Sequence, residues 1–162
     1  MKGYLAGEHV AVDASKAGKL VERGFGMQHS GRVWLSLPEA CYLVEKGTLR
    51  VVDEEGKEVE AAELMERMRL PEYMVYRDLR ERGYVVRSGF KYGASFRVYE
   101  RGTYRRDHSK YLVKAVDEGF RVDICELAGA VRLAHGVRKK LLLGVVDSDG
   151  SVNYYLVERL TP

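Results

Sequence analysis

The chain has 162 residues, 46% of them hydrophobic and 31% charged, with a net charge of +3. That is enough for one ordinary domain or two small ones, and it excludes a disordered or fibrous chain. No apolar run approaches the roughly 18 to 20 residues that cross a bilayer, and the Met-Lys-Gly-Tyr start has no apolar signal core, so a cytoplasmic protein without membrane contact is expected.

Alternating apolar residues in 3–7 and 9–12 predict a short antiparallel strand pair. Asp13 or Ser15 can then cap a helix over Lys16 to Arg23 that Gly24 and Gly26 end. Ser36-Leu37-Pro38-Glu39 is a capping-box helix start, with Gly47 as its stop. A hairpin follows, with strands near 49–52 and 57–59, and Ala61, Leu64, Met65 and Met68 mark one face of a short helix. Leu70-Pro71 interrupts that helix and opens an amphipathic one from Glu72 to Arg82, closed by Gly83. Extended segments are expected at 84–87, 94–99 and 111–116. Asp123 begins a helix on which Ile124, Leu127, Ala128, Val131 and His135 share an apolar face up to Gly136. The continuous apolar run 141–146 predicts a central strand covered on both faces, and Asp147-Ser148-Asp149-Gly150 a turn into a last strand near 152–157. The fold class expected is α+β or mixed α/β, with a small N-terminal α/β domain over 1–69 and a C-terminal mixed sheet flanked by helices over 70–162.

The charge is divided unevenly along the chain. Residues 1–68 hold nine Lys and Arg against twelve Asp and Glu, whereas residues 69–162 hold eighteen against twelve. The second half is where an anionic partner should bind. It interleaves Arg97, Arg101, Arg105, Arg106, Lys110, Lys114, Arg132, Arg138, Lys139 and Lys140 with Tyr92, Tyr99, Tyr104 and Tyr111, the pairing of phosphate-neutralising cations and stacking rings that suits single-stranded nucleic acid. A merely solvated charged face is about equally compatible with the charge alone. One Asn and one Gln in the whole chain, beside many Glu, Arg and Lys, point to a thermophilic source.

Few other chemistries are supported. No Ser stands in a G-x-S-x-G turn, and Cys41 and Cys125 lie in apolar stretches without metal-ligand spacing, which predicts two buried structural thiols. Asp147 and Asp149 read first as turn residues, and neither a metal site nor a cofactor is expected. Cleavage of RNA needs only a base, an acid and a cation beside the phosphate, because the 2′-hydroxyl is an internal nucleophile. His108, in a polar Arg-Asp-His-Ser loop, suits an exposed general acid; His135, on an apolar helix face, reads as a packed residue. The residue pattern leaves open whether Lys139 or Lys140 points at a site.

The run Lys91-Tyr92-Gly93-Ala94-Ser95-Phe96-Arg97-Val98-Tyr99-Glu100-Arg101-Gly102, followed by Asp107-His108-Ser109 and by 131–140, resembles the archaeal tRNA-splicing endonucleases. Leu35-Ser36-Leu37-Pro38-Glu39-Ala40-Cys41-Tyr42-Leu43 extends the resemblance to the N-terminal half. The resemblance implies a triad of Tyr99 as general base, His108 as general acid and Lys139 as stabiliser of the charged transition state. It implies Arg132, and more loosely Arg159, as clamps on an extruded bulge base. The implied substrate is the bulge-helix-bulge element of precursor tRNA, cut without a metal to 2′,3′-cyclic phosphate and 5′-hydroxyl ends. The implied assembly is a homotetramer built as a dimer of dimers, or a heterotetramer with a structural subunit, with Asp147-Ser148-Asp149 as the docking acidic loop. Two other functions compete: a noncatalytic RNA-binding subunit, which should lack part of the triad, and a metal-dependent DNA nuclease, for which no compact acidic motif is visible.

Overall fold

Lys2–Ala6 (β1) and His9–Asp13 (β2) flank a left-handed Gly7 and pair antiparallel with Leu5 opposite Val10, and the apolar run Val10-Ala11-Val12 of β2 is buried throughout. The computed structural model describes all 162 residues, which fall into two compact units, Met1–Tyr73 and Met74–Pro162.

In the first unit the Asp13 carboxylate accepts from the Ser15 amide at 3.0 Å and its hydroxyl at 2.8 Å. The helix expected over 16–23 is shorter and broken, forming a 3₁₀ turn over Ala14–Lys16 and then α1 (Gly18–Glu22). Ala17, at φ −115° and ψ 12°, leaves the helical region, and Gly18 is a poor helix former. A hairpin not foreseen from the sequence follows, Met27–His29 (β3) and Arg32–Ser36 (β4), closed by Ser30 and Gly31, both at positive φ, as a two-residue hairpin turn requires. The capping box at Ser36 forms as expected and opens α2 (Leu37–Glu45). Arg50–Val52 (β5), Glu58–Val59 (β6) and α3 (Ala61–Glu66) complete the unit. The sheet order is β3-β4-β2-β1-β5-β6, with only β1 and β5 parallel, and Val10, Val12, Leu20, Val33, Leu35, Leu43 and Leu64 form the core.

α4 (Leu70–Glu81) begins at the residue before Pro71, which the first helical turn tolerates because its amide would have no partner there. The second unit adds Val85–Ser88 (β7), Phe96–Tyr99 (β8), Tyr111–Asp117 (β9), α5 (Ile124–Gly136), Lys140–Val146 (β10) and Val152–Val157 (β11). They form a sheet in the order β11-β10-β9-β8-β7, antiparallel except for β9 and β10, which α5 connects. On one sheet face Tyr76 packs its ring 5.8 Å from Phe96. On the other, Leu112, Ala134 and Leu141 cluster with Tyr92, Leu127 and Val131. Successive strand residues alternate faces, so Arg97 and Tyr99, in register with Leu112 and its side of the sheet, share the α5 face.

The fold is the mixed α+β class expected, with three local corrections in its second half. β10 lies next to the edge strand and is only half-buried along much of its length. α5 presents a wider apolar stripe than the sheet covers, so Ile124 is 78% exposed and His135 and Cys125 are exposed rather than packed. The helix also runs through Gly136, and its end falls at Val137 before a left-handed Arg138. Cys41 is buried, its thiol donating to the Ala61 carbonyl at 3.6 Å. No helix is long and apolar enough to cross a membrane.

Candidate active site

Strand polarity assembles the site. β8 runs toward Tyr99, β9 starts from Tyr111 beside it, and β10 starts parallel to β9 with Lys140 opposite Tyr111. The C-terminal end of β8, the loop 100–110 and Lys139 therefore meet at one end of the sheet, strands being about 4.8 Å apart.

The loop is folded on itself. The Lys110 ammonium donates to Glu100 at 2.7 Å, and this hydrogen bond first of all raises the lysine's pKa. The Thr103 amide and hydroxyl donate to the Glu100 carbonyl, the Arg106 and Asp107 amides donate to the Thr103 carbonyl, and Arg105 takes φ +73°. His108 is left exposed at the loop's rim, while the next residue, Ser109, is 4% exposed.

Lys139 reaches this loop directly. Its ammonium donates to the Ser109 carbonyl at 2.8 Å and stands 5.7 Å from the Tyr92 ring, leaving two N–H donors for an anion. Lys140 is exposed, and its amide donates to the Lys110 carbonyl instead. Tyr99 is 9% exposed, with Tyr104 packed edge-on at 5.0 Å. The Arg97 guanidinium donates to the Tyr99 oxygen at 3.0 Å and to the Ser88 carbonyl at 3.2 Å.

Arg97 and Tyr104 are contacts that the sequence reading did not single out at the site. The signal for Arg97 was there, since residues two apart on a strand face the same way. Tyr104 lies in an irregular loop, where spacing carries no such information. Arg132 is exposed about one turn before the end of α5, and Arg159 is exposed two residues past Val157, the partner of Leu141, at the same sheet end as Lys139. Neither arginine makes an ion pair.

The acidic segment lies at the opposite end of β10. The Gly150 amide donates to the Asp147 carbonyl at 2.9 Å, and Asp147 accepts from Ser151 and Asn153. The Ser151 hydroxyl, and then its amide, hold the Asp149 carboxyl below the usual range. These carboxylates organise a turn. No three His, Cys, Asp or Glu side chains gather in a set that could hold a metal ion.

One end of this mixed sheet thus brings together Tyr99, the loop that carries His108, and Lys139. Family models place the chain: that of the tRNA intron endonuclease N-terminal domain matches residues 1–65, and that of the catalytic C-terminal domain matches residues 69–154. The chain belongs to the tRNA intron endonuclease family. It is 41% identical over 168 residues to a tRNA-splicing endonuclease of Methanothermobacter thermautotrophicus, covering all of this chain and 99% of the relative. The tRNA-splicing endonuclease of Thermococcus kodakarensis is 42% identical, with 96% of this chain and 95% of the relative covered, and that of Pyrococcus furiosus 40%, with 96% and 94% covered.

Proposed function

We propose that this chain is the catalytic subunit of an endonuclease that removes introns from precursor tRNA, cutting bulge-helix-bulge junctions by metal-independent transesterification. The observation that carries the reading is the meeting of Tyr99, the His108 loop and Lys139 at one sheet end, in a chain that matches both domains of the family.

The 2′-oxygen attacks the adjacent phosphorus, forming the O2′–P bond as the P–O5′ bond breaks. Tyr99 takes the 2′-hydroxyl proton, and the Arg97 guanidinium on its oxygen supplies the complementary charge. The imidazolium of His108 gives its proton to the departing 5′-oxygen, an exchange that needs the exposed position it holds. The two remaining N–H donors of Lys139 meet the charge that builds on the non-bridging oxygens. The products are a 2′,3′-cyclic phosphate and a 5′-hydroxyl. No step uses a metal.

Arg132 and Arg159 clamp an extruded base in this reading. Residues 1–69 serve assembly and 70–162 catalysis. A substrate with two bulges at fixed spacing needs two sites at fixed spacing. A homotetramer supplies them, through the exposed edge strand β11, with Tyr155 and Leu156 about half exposed, and the Asp147–Asp149 loop.

The test is cleavage of a bulge-helix-bulge RNA by the full chain in EDTA, with the product ends analysed. Cyclic phosphate ends, and a loss of about 10²-fold or more in kcat for His108→Ala, are expected. RNA that is bound but never cut would reassign the chain as a noncatalytic subunit, and cleavage only with magnesium would reassign the chemistry.

A further inference from the structure

Phe90 is 90% exposed, the most exposed large apolar side chain in the protein. It does not hang from a loose loop. It opens a 3₁₀ turn over Phe90–Tyr92, between Gly89 and a left-handed Gly93. The Tyr92 and Ala94 amides donate to the Gly89 carbonyl at 2.9 and 3.1 Å, the Gly93 amide donates to Phe90 at 3.0 Å, and the Phe90 amide donates to the Ser88 hydroxyl at 3.3 Å. Gly89 is pressed against β8 so closely that a Cβ there would sit 2.8 Å from the Phe96 backbone. The turn is fixed, and it holds a ring out in water where the ring gains nothing for folding.

The same turn is tied to the site at two points. Tyr92 packs on the Leu112, Ala134 and Leu141 cluster, with its ring 5.7 Å from the Lys139 ammonium and the same distance from that of Lys91. Arg97 bridges the Ser88 carbonyl, two residues before Phe90, to the Tyr99 oxygen. The exposed ring thus belongs to the same fixed turn as Tyr92, two residues on, whose own ring lies beside the Lys91 and Lys139 ammonium groups. An open aromatic face flanked by cations is what binds unpaired nucleotides, the ring taking a base and the cations its phosphates.

We infer that Phe90 is a stacking platform for an unpaired base next to the cleaved phosphodiester, and so a specificity-determining residue for bulged RNA. This rests on the RNA endonuclease reading, which cleavage by the wild-type protein tests separately. Phe90→Ala should raise KM for a bulge-helix-bulge RNA by about 5- to 100-fold, with kcat changed less than about threefold, and Phe90→Trp should restore KM. In a scan of abasic RNAs, one bulge position should cost the wild type the same factor and cost Phe90→Ala nothing more. The inference is overturned if Phe90→Ala cleaves as the wild type does, or if every abasic penalty persists in it. It is also overturned if Leu restores KM as well as Trp, or if light scattering shows that Phe90→Ala changes the assembly mass, since the ring then packs against protein. Circular dichroism of each variant, with unchanged melting expected for so exposed a residue, separates these outcomes from misfolding.

Discussion

The two units use apolar residues in opposite ways. In Met1–Tyr73, α2 closes over a core in which Val10, Ala11 and Val12 of β2 and Val33 and Leu35 of β4 are buried, and four large apolar residues are exposed, Met1, Tyr4, Met27 and Leu70. In Met74–Pro162 eight are exposed, namely Phe90 and Phe120, Ile124 and Leu133 on α5, Val137 just after it, Tyr155 and Leu156 on the edge strand β11, and Leu160 beyond it, and the cation excess is there too. The first unit has completed its core within one chain. The second leaves apolar and cationic surface uncovered within one chain, which is the surface that the proposed function uses for RNA and for further subunits.

A matched pair of truncations puts the contrast to its hardest test. Leu43 in α2 is 1% exposed and Leu133 in α5 is 42% exposed. Leu43→Ala should cost about 2 to 5 kcal/mol of unfolding free energy through lost burial and a residual cavity. Leu133→Ala should cost below about 0.5 kcal/mol in the unassembled chain. Urea unfolding of both variants at low concentration measures the difference; equal losses would mean that α5 is covered after all.

The next effect sits where the first unit buries a charge. Glu39 is 7% exposed, and its carboxylate accepts from the Gly26 amide at 2.7 Å and from the Ser36 amide and hydroxyl at 2.9 Å each. One side chain thus caps α2 and anchors the Gly26 bend, where a Cβ would meet Val33 at 2.5 Å. Glu39→Gln keeps the shape but turns one acceptor into a donor, so one amide loses its partner at a cost of about 1 to 3 kcal/mol. Thermal melting of this variant beside Leu43→Ala checks the order of the two.

Legibility in the sequence follows the same division. Ser36 to Gly47 was readable because caps and periodicity act locally, as they did for the hairpin at Arg50 to Val59 and the turn at Asp147 to Gly150. The β3–β4 hairpin was missed because Ser30-Gly31 is a weak turn signal between short strands. α5 misled for a physical reason: an apolar stripe shows that a face is to be covered and not by which chain, so Ile124, Cys125 and His135 read as core. The candidate triad came from a resemblance to ordered motifs. Its convergence depends on strand order and on parallel pairing of β9 and β10, and neither is encoded locally. Arg97 and Phe90 show the other limit, because a cation on a phenol and a ring held in water are properties of the folded surface.

The smallest expected effect joins β11, the edge that the second unit leaves open, to α4. The Tyr154 hydroxyl donates to Asp78 at 2.7 Å, and the same carboxylate oxygen accepts from Arg82 at 2.8 Å. Burial first, and then this hydrogen bond, push the Tyr154 pKa well above that of a free tyrosine. The folded state therefore holds the phenolic proton more tightly than the unfolded state does. The stability this provides is complete below about pH 10 and is lost as pH rises from there toward the folded value. Tyr154→Phe should cost about 1 kcal/mol at pH 7 and remove this part of the alkaline loss. The loss is at most about 1 kcal/mol per pH unit, less than the full linkage value because the hydroxyl keeps some contact with water. Denaturant unfolding of both proteins between pH 9 and about 11.5 should give curves that converge as pH rises. Parallel curves would show that the tether between β11 and α4 holds no proton of consequence, and that the edge strand is kept in place by its pairing with β10 alone.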